Sequence, residues 1–191
     1  MIFIVVLAVL RTRSTRSERE RTEAFWNREN EANNTRRVDL DTLEYFTFDP
    51  ETLPCPAEGD TALSDALSSI RAVCEKKMLN LNGRSNTDLK LQYGPQNLEL
   101  LTEYGDNFSE LEHALLSYGK LLKEQGYDAE AIRVLEKGIA LPTDLMENYE
   151  ALSSWYEEAG TPQKTDNLKL MAEKNLTGFT KTAVLQRLNK S

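Results

Sequence analysis

Residues 124–142 read EQGYDAEAIRVLEKGIALP, and residues 157–177 read EEAGTPQKTDNLKLMAEKNLT. Laid over one another, they repeat. Gly126 falls on Gly160 and Gly138 on Ala172, each pair 34 positions apart. The match extends to Leu115 on Tyr149, Tyr118 on Leu152, Gly119 on Ser153, Leu122 on Tyr156 and Ala131 on Thr165. Gly119 and Ser153 allow two helices of one unit to approach closely. Ala131, Gly138 and Ala172 do the same for the second helix and its neighbour. Tyr118, Leu122, Leu135 and Tyr156 fill the space that remains. A period of this length, with small residues at fixed positions, reads as a repeated helix–turn–helix unit.

That pattern, over residues 112–179, resembles the tetratricopeptide repeat. The match departs from the family in two places: Thr165 stands where an alanine is usual, and the unit-ending proline comes one position early, as Pro142. The resemblance implies an all-α fold of tetratricopeptide-like helical hairpins, an α-α superhelix with a concave groove that holds a peptide. In that register the groove residues are His113, Leu116, Lys120 and Lys123 from the first unit. Glu147, Glu150, Ser154 and Glu157 come from the second. Leu116 stands where the chaperone-binding members have a lysine, and Lys120 where they have an asparagine. Recognition of a C-terminal carboxylate is therefore not expected. Two units are also fewer than the three or so a free-standing superhelix needs.

Helical signals continue outward from the repeat. Asp60 is a capping residue, and Leu63, Leu67, Ile70, Val73 and Cys74 follow on one face that runs on to Met78. Asn82–Gly83 and Gly94–Pro95 are turn signals enclosing a short helix over Thr87–Tyr93. Pro95 suits the first turn of a helix carrying Leu98, Leu100 and Leu101 and ending at Gly105. Ser109 and Glu112 form an S-x-x-E capping box for a new helix through Leu111, Leu115, Tyr118 and Leu122. Asp128, Thr143, Thr161–Pro162 and Thr177 open the later helices, and Pro142 breaks one of them. No strand is required. In the polar 82–97 loop, Asn82, Arg84, Asn86 and Asp88 form either a hydrogen-bonded structural loop or a binding surface. A deep pocket lined by Arg84, Asp88 and Tyr93 would favour the second.

The other end of the chain opens with MIFIVVLAVL (residues 1–10), followed by Arg11, Arg13 and Arg16. A secretory signal places its basic residues before the apolar run; here the order is reversed. The positive-inside rule puts the arginine side in the cytoplasm. Ten helical residues rise about 15 Å against a hydrocarbon core of about 30 Å. Three readings stay open: the remainder of an anchor whose start lies upstream, a short interfacial plug, or a helix or strand packed on the domain. A membrane anchor is the expectation. Residues 11–38 are Arg/Glu-rich, with ion-pair spacings and no apolar stripe, and read as a charged helical stalk. Phe25 and Trp26 either dock it on the domain or touch lipid headgroups. Residues 39–59 form a connector in which Pro50, Pro54 and Pro56 prevent a regular element. Tyr45, Phe46 and Phe48 pin it down.

The whole layout also resembles membrane-anchored tetratricopeptide proteins of Gram-positive bacteria. The stretch Phe25-Trp26, Arg28-Glu29, Ala32-Asn33 carries that likeness, which implies a bacterial, membrane-tethered protein and no particular activity.

Composition excludes several classes. The net charge is −8, against the basic footprint of nucleic-acid binders. Cys55, Cys74 and His113 alone cannot assemble an N/S zinc site, and a chain of this size does not require a Cys55–Cys74 bridge. No phosphate loop, metalloprotease, nucleophile-elbow or calcium-loop motif is present. His113 has no visible triad companion. Glu147, Glu150, Glu157 and Glu158 read as a solvated acidic face. The expectation is a cytoplasm-facing, membrane-tethered scaffold or protein-interaction module, with residues 60–110 as a non-repeat helical cap and 111–191 as the repeats with a capping helix. It is not an enzyme, needs no cofactor or metal, and takes protein partners rather than nucleic acid. The alternatives are a soluble cytoplasmic protein, and a small ligand-binding or enzymatic helical domain using the 82–97 loop.

Overall fold

The computed structural model describes residues 2–56, 59–141 and 143–189, with side-chain surroundings from Ser17 onward. The side chains of the apolar run 1–10, and Pro142, lie outside the described residues. Among the described residues there are eight α-helices and no strand: α1 (Ile2–Asn33), α2 (Thr61–Cys74), α3 (Asn86–Tyr93), α4 (Leu98–Glu124), α5 (Asp128–Ala140), α6 (Met146–Glu158), α7 (Lys164–Asn175) and α8 (Gly178–Leu188). The chain is all-α. Phe46 and Met78 make one isolated antiparallel bridge. The chain divides into two compact units, Met1–Leu43 with Arg84–Thr102, and Glu44–Gly83 with Glu103–Ser191.

In the first unit, the C-terminal half of α1 lies against α3 through polar contacts. Lys90 pairs with Glu29 at 2.8 Å and donates to Asn33 at 3.0 Å; Arg28 reaches Asp88 at 2.5 Å; Thr87 donates to Glu29. Ala32, Leu40, Leu89 and Leu101 are its buried apolar residues. Phe25 and Trp26 do not dock: they stay 55% and 59% exposed, stacked edge to face on each other. A helix with no apolar stripe is held here by ions and amides, with one alanine buried at the contact. Where α1 has ended, Asn97, fully buried, takes over. Its amide donates to Val38 O at 2.6 Å and Tyr93 O at 2.7 Å, and its oxygen accepts from Arg37. Gly94 beside it has φ +85°, and a Cβ there would come within 2.7–2.9 Å of the Arg36–Arg37 backbone.

The second unit holds the main core. Leu63, Leu67, Ile70 and Val73 of α2, with Phe108, Leu111 and Leu115 of α4, are among its buried residues. Asp60 caps α2 by accepting from Leu63 N. The helix stops at Cys74, short of Met78, which is fully buried in extended chain and accepts from Phe46 N at 2.8 Å. Phe46 stacks edge to face on Phe108, Tyr45 does so on Tyr104, and Tyr118 Oη donates to Pro54 O at 2.5 Å. The proline-rich connector thus lies on this core without a helix of its own beyond one short turn, Pro50–Thr52. Both cysteines are free thiols.

One expected boundary is absent. Gly105 does not end a helix and Ser109 does not start one; α4 runs unbroken through both. The reason is packing from the preceding segment. Leu79 N donates to Tyr104 O, Asn107 donates to Lys77 O, and the Leu81 side chain sits 3.2 Å from where a Gly105 Cβ would be. Gly105 makes room for a neighbour rather than a break. Thr143 likewise does not cap α6, which begins three residues later at Met146; its hydroxyl accepts from Leu145 N instead. The expected α8 start after Thr177 is present.

The 34-residue pairs occupy equivalent places. Leu115 and Tyr149, Tyr118 and Leu152, Gly119 and Ser153, Leu122 and Tyr156, Ala131 and Thr165, Gly138 and Ala172 are all buried. The turns agree bond for bond. Tyr127 N donates to Leu122 O at 2.9 Å and Thr161 N to Tyr156 O at 2.8 Å. Gly126 N donates to Lys123 O and Gly160 N to Glu157 O, both at 3.0 Å. Gly126 and Gly160 have φ +83° and +68°. These are two Schellman caps, the left-handed helix ending that glycine adopts without a Cβ penalty. Among the described residues no helix is long and apolar enough to cross a membrane.

Candidate functional site

Two arrangements in the second unit carry chemistry. The first is the face where α4, α6 and α8 are linked by ion pairs. Lys120 of α4 meets Glu147 of α6 at 2.5 Å. Lys123 meets Glu158 of α6 at 2.7 Å and Asp128 at 3.1 Å, and lies 5.7 Å from the Trp155 ring centroid. The Glu158 hydrogen bond, ahead of the other causes, raises the Lys123 ammonium above its usual range. Arg187 of α8 lies 2.6 Å from Glu150 of α6. Of the eight groove residues expected from sequence, Lys120, Lys123, Glu147 and Glu150 are therefore joined in cross-helix pairs. His113, Ser154 and Glu157 are exposed on the same two helices. Leu116 is 4% exposed and belongs to the core, because its neighbours Leu115 and Tyr118 draw that side of α4 inward.

Ion pairs this exposed contribute about 0–1 kcal/mol each. They do not hold the helices together; the buried residues do. Their effect is on the surface presented, paired charges of both signs on α4, α6 and α8. No acid–base pair with a nucleophile is among them.

The polar 82–97 loop divides. Arg84 donates to Gln92 and its guanidinium lies 5.8 Å from the Tyr93 ring centroid. Asn86 opens α3 and is exposed. Asp88 closes a capping box with Ser85 and pairs with Arg28; those contacts, the Ser85 hydroxyl first, hold its carboxyl below the usual range. These three residues serve helix ends and the α1–α3 contact. Asn82 does something different.

Asn82 leads to the second arrangement. Its amide donates to Glu112 at 3.4 Å. Glu112 was legible as a capping-box acid, yet it lies inside α4 and is 2% exposed. Its other donors are the Thr143 hydroxyl and Asp144 N–H. Burial raises its carboxyl to about 7, with the Asp144 charge adding to the effect and the hydrogen bonds opposing it. Nearby, Tyr149 donates to Thr143 O at 3.2 Å, and burial pushes its phenol up to about 12. Beside this cluster is a cavity of about 170 Å³ lined by Asn82, Gly83, Asp144, Asn175, Leu176, Thr177 and Thr180. A larger, mainly apolar cavity of about 280 Å³ lies elsewhere, with Ile139, Leu152, Leu168 and Met171 in its wall and the Glu136–Lys164 pair at 2.9 Å beside it.

Sequence reasoning missed Glu112 because three residues after a serine an acid looks like a cap. The signal that could have found it is its register: Glu112 sits between Leu111 and Leu115 on the buried side of α4. Among the described residues no group of three or more His, Cys, Asp and Glu is placed to hold a metal ion. Compared with known protein families, curated proteins and solved structures, the chain matches none.

Proposed function

We propose that residues 111–191 act as a tetratricopeptide-like protein-interaction or scaffolding module without catalysis, tethered to the cytoplasmic face of a membrane by the N-terminal segment. The single observation that carries the first half is the equivalence of the two 34-residue units: the same positions buried, and the same cap hydrogen bonds at Gly126 and Gly160. The recognition face of this reading is the one carrying His113, Lys120, Lys123, Glu147, Ser154 and Glu157. The tether rests on the apolar run at 1–10 and the arginines that follow it, in a helix that continues without a break to Asn33.

The partner chemistry follows from the pairs. A groove whose cations already face carboxylates does not attract an anion strongly; it selects a segment whose charges match the pattern. Exchanging the pair, Lys120→Glu with Glu147→Lys, keeps the cross-helix contact and reverses the pattern. A partner recovered with the wild-type chain is expected to be lost with this double variant and kept with Arg133→Glu on α5. Retention by the double variant, with its fold intact by circular dichroism, would contradict the reading.

A further inference from the structure

The cavity beside Glu112 has a chemistry that the interaction module does not use. Three stretches converge on it: Asn82–Gly83 after α2, Asp144 between α5 and α6, and Asn175–Thr177 from the last residue of α7 to the start of α8. Its lining residues carry one carboxylate, Asp144, two amides, Asn82 and Asn175, whose nitrogens donate to Glu112 and to Ile139 O, and two hydroxyls, Thr177 and Thr180. Among the described residues no lysine or arginine lines it. Directly behind Asn82 and Asp144 lies the buried Glu112 carboxyl, whose hydrogen-bond donors are all neutral. One carboxyl group, that of Asp144, thus belongs to a residue lining a small polar cavity, a second lies behind it, and among the described residues no cation lines it. The sequence of the unit as a whole points the same way, with thirteen basic and twenty-two acidic residues.

We propose that this cavity binds a primary ammonium group, held by the Asp144 carboxylate and by the oxygens of Asn82, Asn175, Thr177 and Thr180, with Glu112 supplying negative charge from behind. An ammonium has three N–H donors and no acceptor, which suits a wall rich in oxygen acceptors. A volume of about 170 Å³ equals about five or six water-sized shares of liquid, room for a short aliphatic amine. Leu176 gives its methylenes an apolar contact. A divalent metal fits less well, since it asks for six or more oxygens with several carboxylates in direct contact. An anion would meet the Asp144 side of the wall with Glu112 behind it, and among the described residues no lysine or arginine lines the cavity to offset them.

The ammonium could arrive on a free amine or on a lysine side chain of a partner, and the probes separate them. The full chain is titrated with n-butylammonium chloride and with Nα-acetyl-lysine N-methylamide, following backbone amide resonances. Saturable shifts at Asn82, Asp144, Asn175 and Thr177 are expected. If both probes give them the site takes free amines; if only the lysine derivative does, it takes a partner's lysine. Asp144→Asn should weaken binding about tenfold or more, the scale of one lost charge-assisted contact. Calorimetry at pH 7 in two buffers of different ionisation enthalpy should show proton release on binding, which Glu112→Gln abolishes. The absence of saturable shifts with either ammonium probe would overturn the proposal. So would equal shifts from sodium butyrate, or unchanged binding in Asp144→Asn with its thermal midpoint intact. These readouts are independent of partner capture on the α4–α6 face, so either reading can fail alone.

Discussion

At the scale of a residue, Glu112 is the most consequential side chain. Its folded pKa of about 7 lies above the 4.5 of an exposed glutamate. The folded state therefore holds the proton more tightly than the unfolded chain. The stability this contributes is fully present below pH 4.5 and is lost as pH rises through about 7. Over that window the loss is about 3 kcal/mol, with Asp144 and Tyr149 as the titratable groups that face it. Glutamine mimics the protonated form at every pH. Glu112→Gln should raise the thermal midpoint at pH 8 and leave it nearly unchanged at pH 4; equal effects at both values would refute the assignment. Asn97 is the corresponding residue of the first unit. Asn97→Ala removes three hydrogen bonds from a fully buried position and should cost about 2 kcal/mol or more, read by loss of amide protection in α3.

At the scale of an element, the two Schellman turns give a paired test. Nothing lies within 4 Å of an ideal Cβ at either Gly126 or Gly160, so replacing them meets no clash. The whole cost of alanine is the left-handed backbone, about 1 kcal/mol. Gly126→Ala and Gly160→Ala should destabilise by the same amount in denaturant melts. A difference well beyond that would mean the two turns are not equivalent. These turns, the α2 cap, the start of α8 and the 34-residue register were all legible in sequence, because each depends on residues near one another in the chain. What was not legible depended on distant partners. Gly105 and Ser109 look like a stop and a start until the segment around Leu79 and Leu81 is laid along α4. Met78 completes an apolar helical face on paper, yet it is drawn into extended chain by Phe46. Asn97 looks like a loop residue, although its three partners make it a clamp. Phe25 and Trp26 are the converse case, large aromatics that stay more than half exposed.

At the scale of the whole molecule, the charge is strongly sorted. Residues 11–37 hold eight arginines and five glutamates, while residues 38–191 hold fifteen basic and twenty-six acidic residues. A basic segment next to an apolar start favours an anionic lipid surface, and the acidic remainder disfavours it. The proposed tether predicts that the full chain, expressed in a bacterial host, stays with the membranes through a high-pH, high-salt wash. Release into the supernatant would remove the tether and leave the interaction module as a soluble adaptor.

Whether α4 and α6 present a recognition face is read by site-specific photo-crosslinking in living cells. A photoreactive amino acid is placed in turn at His113 and Glu157 on that face, and at Arg133 on α5 as a control. A discrete adduct, of one added mass, is expected from His113 and Glu157 and none from Arg133. Adducts from Arg133 alone, or from no position, would contradict it.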